Sequence, residues 1–166
     1  NTLGSAYSGS LQKSLVVDHL DNRGTQEFIK KMGEQWIKEI HPFKPINFFI
    51  DSFELIGELP WSEKLFDAFN EMHGYSIKPY LPLLFKKNGE SKYLYAIFGE
   101  EFSYGSLNNI RERVYEDYLL TRQDLFMNEF LLPMKNWIND QGIELRLQAH
   151  GGYGNYLDAY AIADIP

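Results

Sequence analysis

Ile46-Asn47-Phe48-Phe49-Ile50-Asp51-Ser52-Phe53-Glu54 is an apolar run that stops at two carboxylates. Preceded by Pro45, the run reads as a buried strand, and Asp51 and Glu54 stand where that strand leaves its sheet. In parallel α/β architectures the loops after the strand C-termini form the ligand crevice, and catalytic residues come from several strand ends. Glu54 is therefore the first candidate for chemistry.

The flanking segments supply the rest of an α/β pattern. Leu15-Val16-Val17-Asp18-His19 reads as an earlier short strand that also ends in an acid beside an imidazole. After the turn Asp21-Asn22-Arg23-Gly24, Thr25 is expected to cap a helix whose apolar positions Phe28, Met32, Trp36 and Ile40 recur every fourth residue, alongside Ile29 and Ile37. His41-Pro42 ends it. Strand, helix and strand is the βαβ order, which calls for a parallel pair with both tips on one side.

Beyond Glu54, Ser62 is expected to cap a helix through Leu65, Phe69 and Met72, with Trp61 and Phe66 as a hydrophobic staple and Gly74 as its stop. Tyr75 to Phe85, with Pro79 and Pro82, reads as a loop with short helical turns. Residues 92–98 alternate as a strand would. From Ser106 a long helical pattern runs through Ile110, Val114, Tyr118, Leu125 and Phe130, and Pro133 must kink it or begin a second helix. Gly142 is expected in a left-handed cap. Ile143 to His150 then alternates strictly, apolar at odd numbers and polar at even ones. A barrel accounts for that: Ile143, Leu145 and Leu147 would face helices while Arg146, Gln148 and His150 point to the interior and its mouth. Gly151 to Gly154 forms a loop, and Tyr156 to Ala163 reads as a short helix.

Composition excludes several classes. The 166 residues are 44% hydrophobic and carry a net charge of −7, with no basic cluster longer than Lys30-Lys31 or Lys86-Lys87. A nucleic-acid partner is not expected. No stretch approaches the roughly 20 apolar residues that span a bilayer, so membrane insertion is not expected either. With no cysteine, catalysis must use carboxylates, His, hydroxyls, or a metal held by oxygen and nitrogen. The first residue is Asn and the chain stops at Ile165-Pro166, so it reads as a piece of a longer polypeptide.

Phe53, Leu55 and Trp61 surround Glu54 in sequence and would desolvate its carboxyl group, raising its pKa for general-acid work. His19 and His150 end strands on the same side as Asp18 and Gln148. His-x-His and His-Glu-x-x-His are absent, which leaves at most an oxygen-rich calcium site from Asp18, Asp51, Asp158 or Asp164. Trp61, Tyr75, Tyr80, Tyr153 and Tyr156 lie in or beside loops, where rings suit stacking on sugar faces.

Taken in order, Val17-Asp18-His19, Asp51-Ser52-Phe53-Glu54, Trp61 with Phe66 and Phe69, Gly74-Tyr75, Tyr80-Leu81-Pro82, Arg146 to Gly151, Leu157-Asp158 and Ala163-Asp164-Ile165-Pro166 resemble the catalytic barrel of the α-L-rhamnosidases of glycoside hydrolase family 106. The resemblance implies a partial (β/α)8 TIM-type barrel over residues 1–166 of a larger, secreted or periplasmic multidomain enzyme. It further implies hydrolysis of terminal α-L-rhamnosyl linkages in glycans or glycosides, with inversion and with a calcium ion near the sugar. By this resemblance Glu54 is the catalytic acid, and Asp18, His19, Asp51, Trp61, Gln148, His150, Asp158 and Asp164 contact substrate, with the metal ligands unassigned. Inversion needs a second carboxylate roughly 6.5–9.5 Å away; either it follows Pro166, or Asp164 or Asp158 serves. The rival readings are a noncatalytic carbohydrate-binding module, and a metal-dependent hydrolase using His19 and His150. An isolated partial barrel, with open sheet edges, is expected to aggregate or to be inactive.

Overall fold

The computed structural model describes residues 17–53, 59–84 and 105–166. Glu54 and the expected strand at 92–98 lie outside the described residues, as do Leu15 and Val16. The chain divides into two compact units, Asn1–Leu65 with Arg122–Pro166, and Phe66–Thr121.

In the first unit the sheet is parallel, and the class is α/β. Strand β1 (Asn47–Ile50) pairs with β2 (Glu144–Leu147) in the register Asn47↔Glu144 to Ile50↔Leu147, and Ile165 adds a parallel bridge to Arg146. All three segments run the same way, so Asp51, Gln148 and Pro166 emerge on one side. Two strands and a bridge do not make a barrel, and the barrel is taken up below as a proposal.

The earlier strand expected at Leu15 to His19 is not a ladder partner where it is described. Asp18 carboxylate oxygen accepts from the Leu20 amide at 3.0 Å, and the Asp18 carbonyl accepts from the Asp21 amide. These local bonds turn the chain at His19-Leu20 instead of extending it. Helix α1 (Asn22–Phe28) accordingly begins earlier than the Asp-Asn-Arg-Gly sequence suggests, with Asp21 as its N-cap. Gly24 sits inside the first turn because a Cβ there would lie 2.8 Å from the Asp18 carbonyl oxygen.

The helix expected to run unbroken to Ile40 contains a π-turn, Ile29–Gly33, before α2 (Glu34–Ile40). The wider turn shifts the buried face, so Thr25, Ile29 and Gly33 are inward while Met32, Trp36 and Ile40 remain 37–45% exposed. Gly33 meets the Trp137 ring so closely that an added Cβ would be 2.5 Å from it. Phe48 continues this layer, stacked on Trp36 at 5.9 Å and edge-on to Trp137 at 6.0 Å.

A second π-turn, Phe126–Leu131, joins helix α4 (Asn108–Leu125) to α5 (Leu132–Asp140). Pro133, at the start of α5, has no amide hydrogen to give the Glu129 carbonyl four residues back. Thr25 Oγ1, fully buried, donates to that carbonyl at 2.7 Å. The Glu129 carboxylate accepts from the Asn22 amide at 2.9 Å and from Lys64 Nζ at 2.7 Å. Helix α1 is thus fixed to the π-turn by both ends of one glutamate. At the other end of α5, Gly142 has φ +67°, its amide donates to the Asn139 carbonyl and the Ile143 amide to Ile138, which is a Schellman closure. Ile143, Leu145, Leu147 and Ala149 are then buried, as the alternation predicts, with Glu144, Arg146, Gln148 and His150 exposed.

In the second unit, helix α3 (Leu65–His73) lies largely within it and starts later than a Ser62 cap predicts. His73 and Tyr75 hold the α4 residues of this unit: Tyr75 OH donates to Asp117 at 2.6 Å, and His73 Nε2 lies 2.9 Å from Thr121 Oγ1. Burial first, and then that Asp117 bond, push the Tyr75 hydroxyl well above its usual pKa. The 3-10 turns at Lys78–Leu84 match the loop with helical turns expected there.

Replacing Thr25 by Val keeps the shape of the side chain and removes the hydroxyl bond to the Glu129 carbonyl. A loss of about 1–3 kcal/mol is expected, read as a lowered midpoint in chemical denaturation, and an unchanged midpoint would exclude this bond as the anchor of α1.

Candidate functional site

Two tips form the centre of the site. The Phe53 amide donates to the His150 carbonyl at 2.8 Å, and the Gln148 amide donates to the Ile50 carbonyl at 2.9 Å, so the pairing of β1 with β2 continues past both strand ends. Gly151 is required at this crossing. Its φ is +77°, and a Cβ would collide with the Phe53 carbonyl oxygen. Phe53 is thereby held on the rim immediately before Glu54.

Side chains on the rim separate into an exposed group and a buried layer. Asp51, Gln148, His150 and Tyr156 are exposed. The His150 and Tyr156 rings lie 6.1 Å apart, and the Gly151 amide donates to Tyr156 OH at 3.4 Å. Asp51 accepts only from its neighbour, the Ser52 amide, among the described residues. This is a set of hydroxyl, amide, imidazole and carboxylate groups open to a polar ligand.

Beneath it lies an aromatic layer. His19 is edge-on to Phe130 at 4.5 Å and to Phe53 at 5.6 Å, with Phe126 and Tyr153 each at 6.4 Å. Phe126 and Phe130, one turn apart on the second π-turn, stack at 5.9 Å. Packing of the half-buried imidazole against these rings desolvates it and lowers its pKa to about 4, so it is neutral near pH 7. His19 is therefore a member of the packing layer under the rim rather than of the exposed group.

The remaining expected contacts are dispersed. Asp18 is half-buried, bonded to the Leu20 amide and to the Ser62 side chain, and burial is the main cause that raises its pKa. Ser62 itself is buried, serving the Asp18 turn as well as accepting from the Lys64 amide. Trp61 is 41% exposed. Asp158, in helix α6 (Tyr156–Ile162), accepts from Gln123 at 2.9 Å. Asp164 lies beside Leu145, below the tips, where its carboxylate takes Lys135, Asn139 and the Leu145 amide; the Lys135 bond first, then the others, hold its pKa down to about 2. Among the described residues no three His, Asp or Glu side chains come together as a metal-binding group. Asp18, Asp51, Asp158 and Asp164 each have, among the described residues, their own local partner and are not gathered into one group, nor are His19 and His150 part of one. Among the described residues no helix is long and apolar enough to cross a membrane.

Neither the protein-family models nor the curated proteins give a match. Among solved structures the chain is similar to a rhamnosidase from Novosphingobium sp. PP1Y, with a TM-score of 0.68 and 20% identity. The superposition covers 99% of this chain and 15% of that one, so the chain spans a small part of the rhamnosidase's length and shares its fold there.

The His19 environment sets a pH dependence. A group whose pKa falls from 6.5 unfolded to about 4 folded binds fewer protons when native, so its stabilising effect is complete above pH 6.5 and is lost as pH falls toward 4. The expected loss is on the order of 2–3 kcal/mol. The urea midpoint should fall less between pH 7 and pH 4.5 in His19→Phe than in wild type, and equal falls would refute a desolvated neutral imidazole.

Proposed function

We propose that the polypeptide carrying this chain is a glycoside hydrolase acting on terminal α-L-rhamnosyl linkages, with this chain forming part of a (β/α)8 barrel. The observation that carries the reading is the likeness to a rhamnosidase over 99% of the chain, coinciding with parallel strand tips that gather Asp51, Gln148 and His150 beside the Phe53-Glu54 step.

In this reading Glu54, next to the buried Phe53, is the general acid that protonates the leaving oxygen. His150 and Gln148 meet sugar hydroxyls, and the Tyr156 ring beside His150 offers a face for a pyranose. Asp158 and Asp164 are not assigned as the base that activates water on the opposite face. Asp158 holds Gln123, and Asp164 is consumed by three donors below the rim.

The test is turnover of an aryl α-L-rhamnoside by the polypeptide carrying this chain. Glu54→Gln should lower kcat by about 10²–10⁴-fold while rhamnose still binds. Retained turnover in that variant removes Glu54 from the chemistry, and binding without any turnover in the wild type favours a noncatalytic carbohydrate-binding module.

A further inference from the structure

We propose that Gln123 is a positioning residue: without touching the sugar, it holds the Tyr156 ring beside His150, so that the rim presents one face to a pyranose. This rests on the function proposed above for His150 and Tyr156.

Gln123 is half-buried in the last turn of α4, and its carboxamide grips the chain on both sides of Tyr156. Oε1 accepts from the Asn155 amide at 3.2 Å, and Nε2 donates to the Asp158 carboxylate at 2.9 Å. A carboxamide accepts at one atom and donates at the other; a glutamate in its place lacks the donor and a lysine the acceptor. The stem is seated as well. Gly154 has φ +135°, and a Cβ there would lie 2.6 Å from Gln123 Cγ. From inside, Tyr153 is buried edge-on to Phe126 at 5.6 Å, and Phe126 follows Gln123 by one helical turn. A single turn of helix therefore fixes the Gly151-to-Asn155 loop from both sides. Asn155 in turn caps α6, its side chain accepting from the Leu157 amide at 2.8 Å, which makes Tyr156 the first residue of that helix. With only seven residues, α6 has little helical stability of its own, so its first turn takes its place from these outside bonds. The Tyr156 ring then stands 6.1 Å from the His150 ring, with its OH accepting from the Gly151 amide at 3.4 Å.

A ring that meets the sugar in the ground state acts on KM, so binding and chemistry separate in the test. In the polypeptide carrying this chain, Gln123→Ala removes both bonds and should raise KM for an aryl α-L-rhamnoside about 3–10-fold, with kcat within about twofold of wild type. Gln123→Glu keeps the acceptor but sets a carboxylate against Asp158, and it should raise KM as well. Adding Asp158→Asn, whose amide can donate to the new carboxylate, should return most of the loss. In a Tyr156→Leu background Gln123→Ala should add no further rise. The His150 ring resonances supply a readout independent of turnover: in Gln123→Ala they should move toward their Tyr156→Leu positions. Where Gln123→Ala does not fold, Gln123→Glu and its Asp158→Asn rescue carry the same arms. An unchanged KM reduces Gln123 to a structural brace and overturns the inference. Unmoved His150 resonances overturn it too, as does a KM rise that persists in the Tyr156→Leu background or that Asp158→Asn fails to rescue. Absence of both rhamnose binding and turnover in the wild type sinks the proposed function instead, and the His150 resonances then decide alone whether Gln123 places the ring.

Discussion

Glu129 is the constraint from which the order of the first unit follows. A proline four residues later deprives its carbonyl of a helical donor, and a buried carbonyl without a partner is costly, so the chain must supply one from elsewhere. Thr25 supplies it, 104 residues away in sequence. The same residue's carboxylate meets the α1 amino end at Asn22 and the Lys64 ammonium. A negative group at that position also suits the positive end of the α1 dipole. One local defect in a helix thus becomes the fixed point for α1 and for the turn that precedes it.

The rim inherits this order. With α1 fixed, the Asp18-to-Leu20 turn is placed by Gly24 and Asp21, and His19 is directed into the rings carried by the π-turn. The π-turn therefore carries Glu129, whose carbonyl Thr25 meets, and sets Phe126 and Phe130 in a stacked pair under the tips. Phe53 and Tyr153 complete the layer. Above it the polar groups of Asp51, Gln148 and His150 remain exposed because the backbone bonds Phe53 to His150 and Gln148 to Ile50 already satisfy the buried main chain of both tips. A rigid apolar floor with open polar groups on top is an arrangement suited to holding a polar ligand in register.

How much of this was legible depends on the range of the interaction. The β1 strand, the odd-even alternation of Ile143 to His150 and the left-handed Gly142 follow from local patterns, and the structure has all three. The strand pattern of Leu15 to His19 gives way in its described part because Asp18 bonds to the amide two residues on and bends the chain. The stripe Phe28, Met32, Trp36, Ile40 failed for a different reason: a single π-turn changes the helical period, and nothing in the spacing of apolar residues announces it. Asp164 had the residue type of a site contact, but its partners Lys135, Asn139 and Leu145 are 19–29 residues distant. The Thr25-Glu129 pairing could have been suspected from Pro133 alone, since the orphaned carbonyl is implied by the proline, but its partner could not.

The exposed face of the sheet bears on which kind of protein this is. Parallel strands occur almost only where both faces are covered, yet here helices and their rings take one face while the other carries Phe49, 46% exposed, with the Arg146 guanidinium 5.0 Å from its centroid. That contact shelters an aromatic ring with a cation's edge and covers only part of it. On this face an arginine, a glutamine and a histidine, Arg146, Gln148 and His150, recur at every second position toward the tips. An antiparallel sandwich, the common form of a binding module, does not pair strands in parallel across a connection such as residues 51–143. The register Phe49↔Arg146 therefore gives this parallel sheet one helix-covered face and one face of polar side chains.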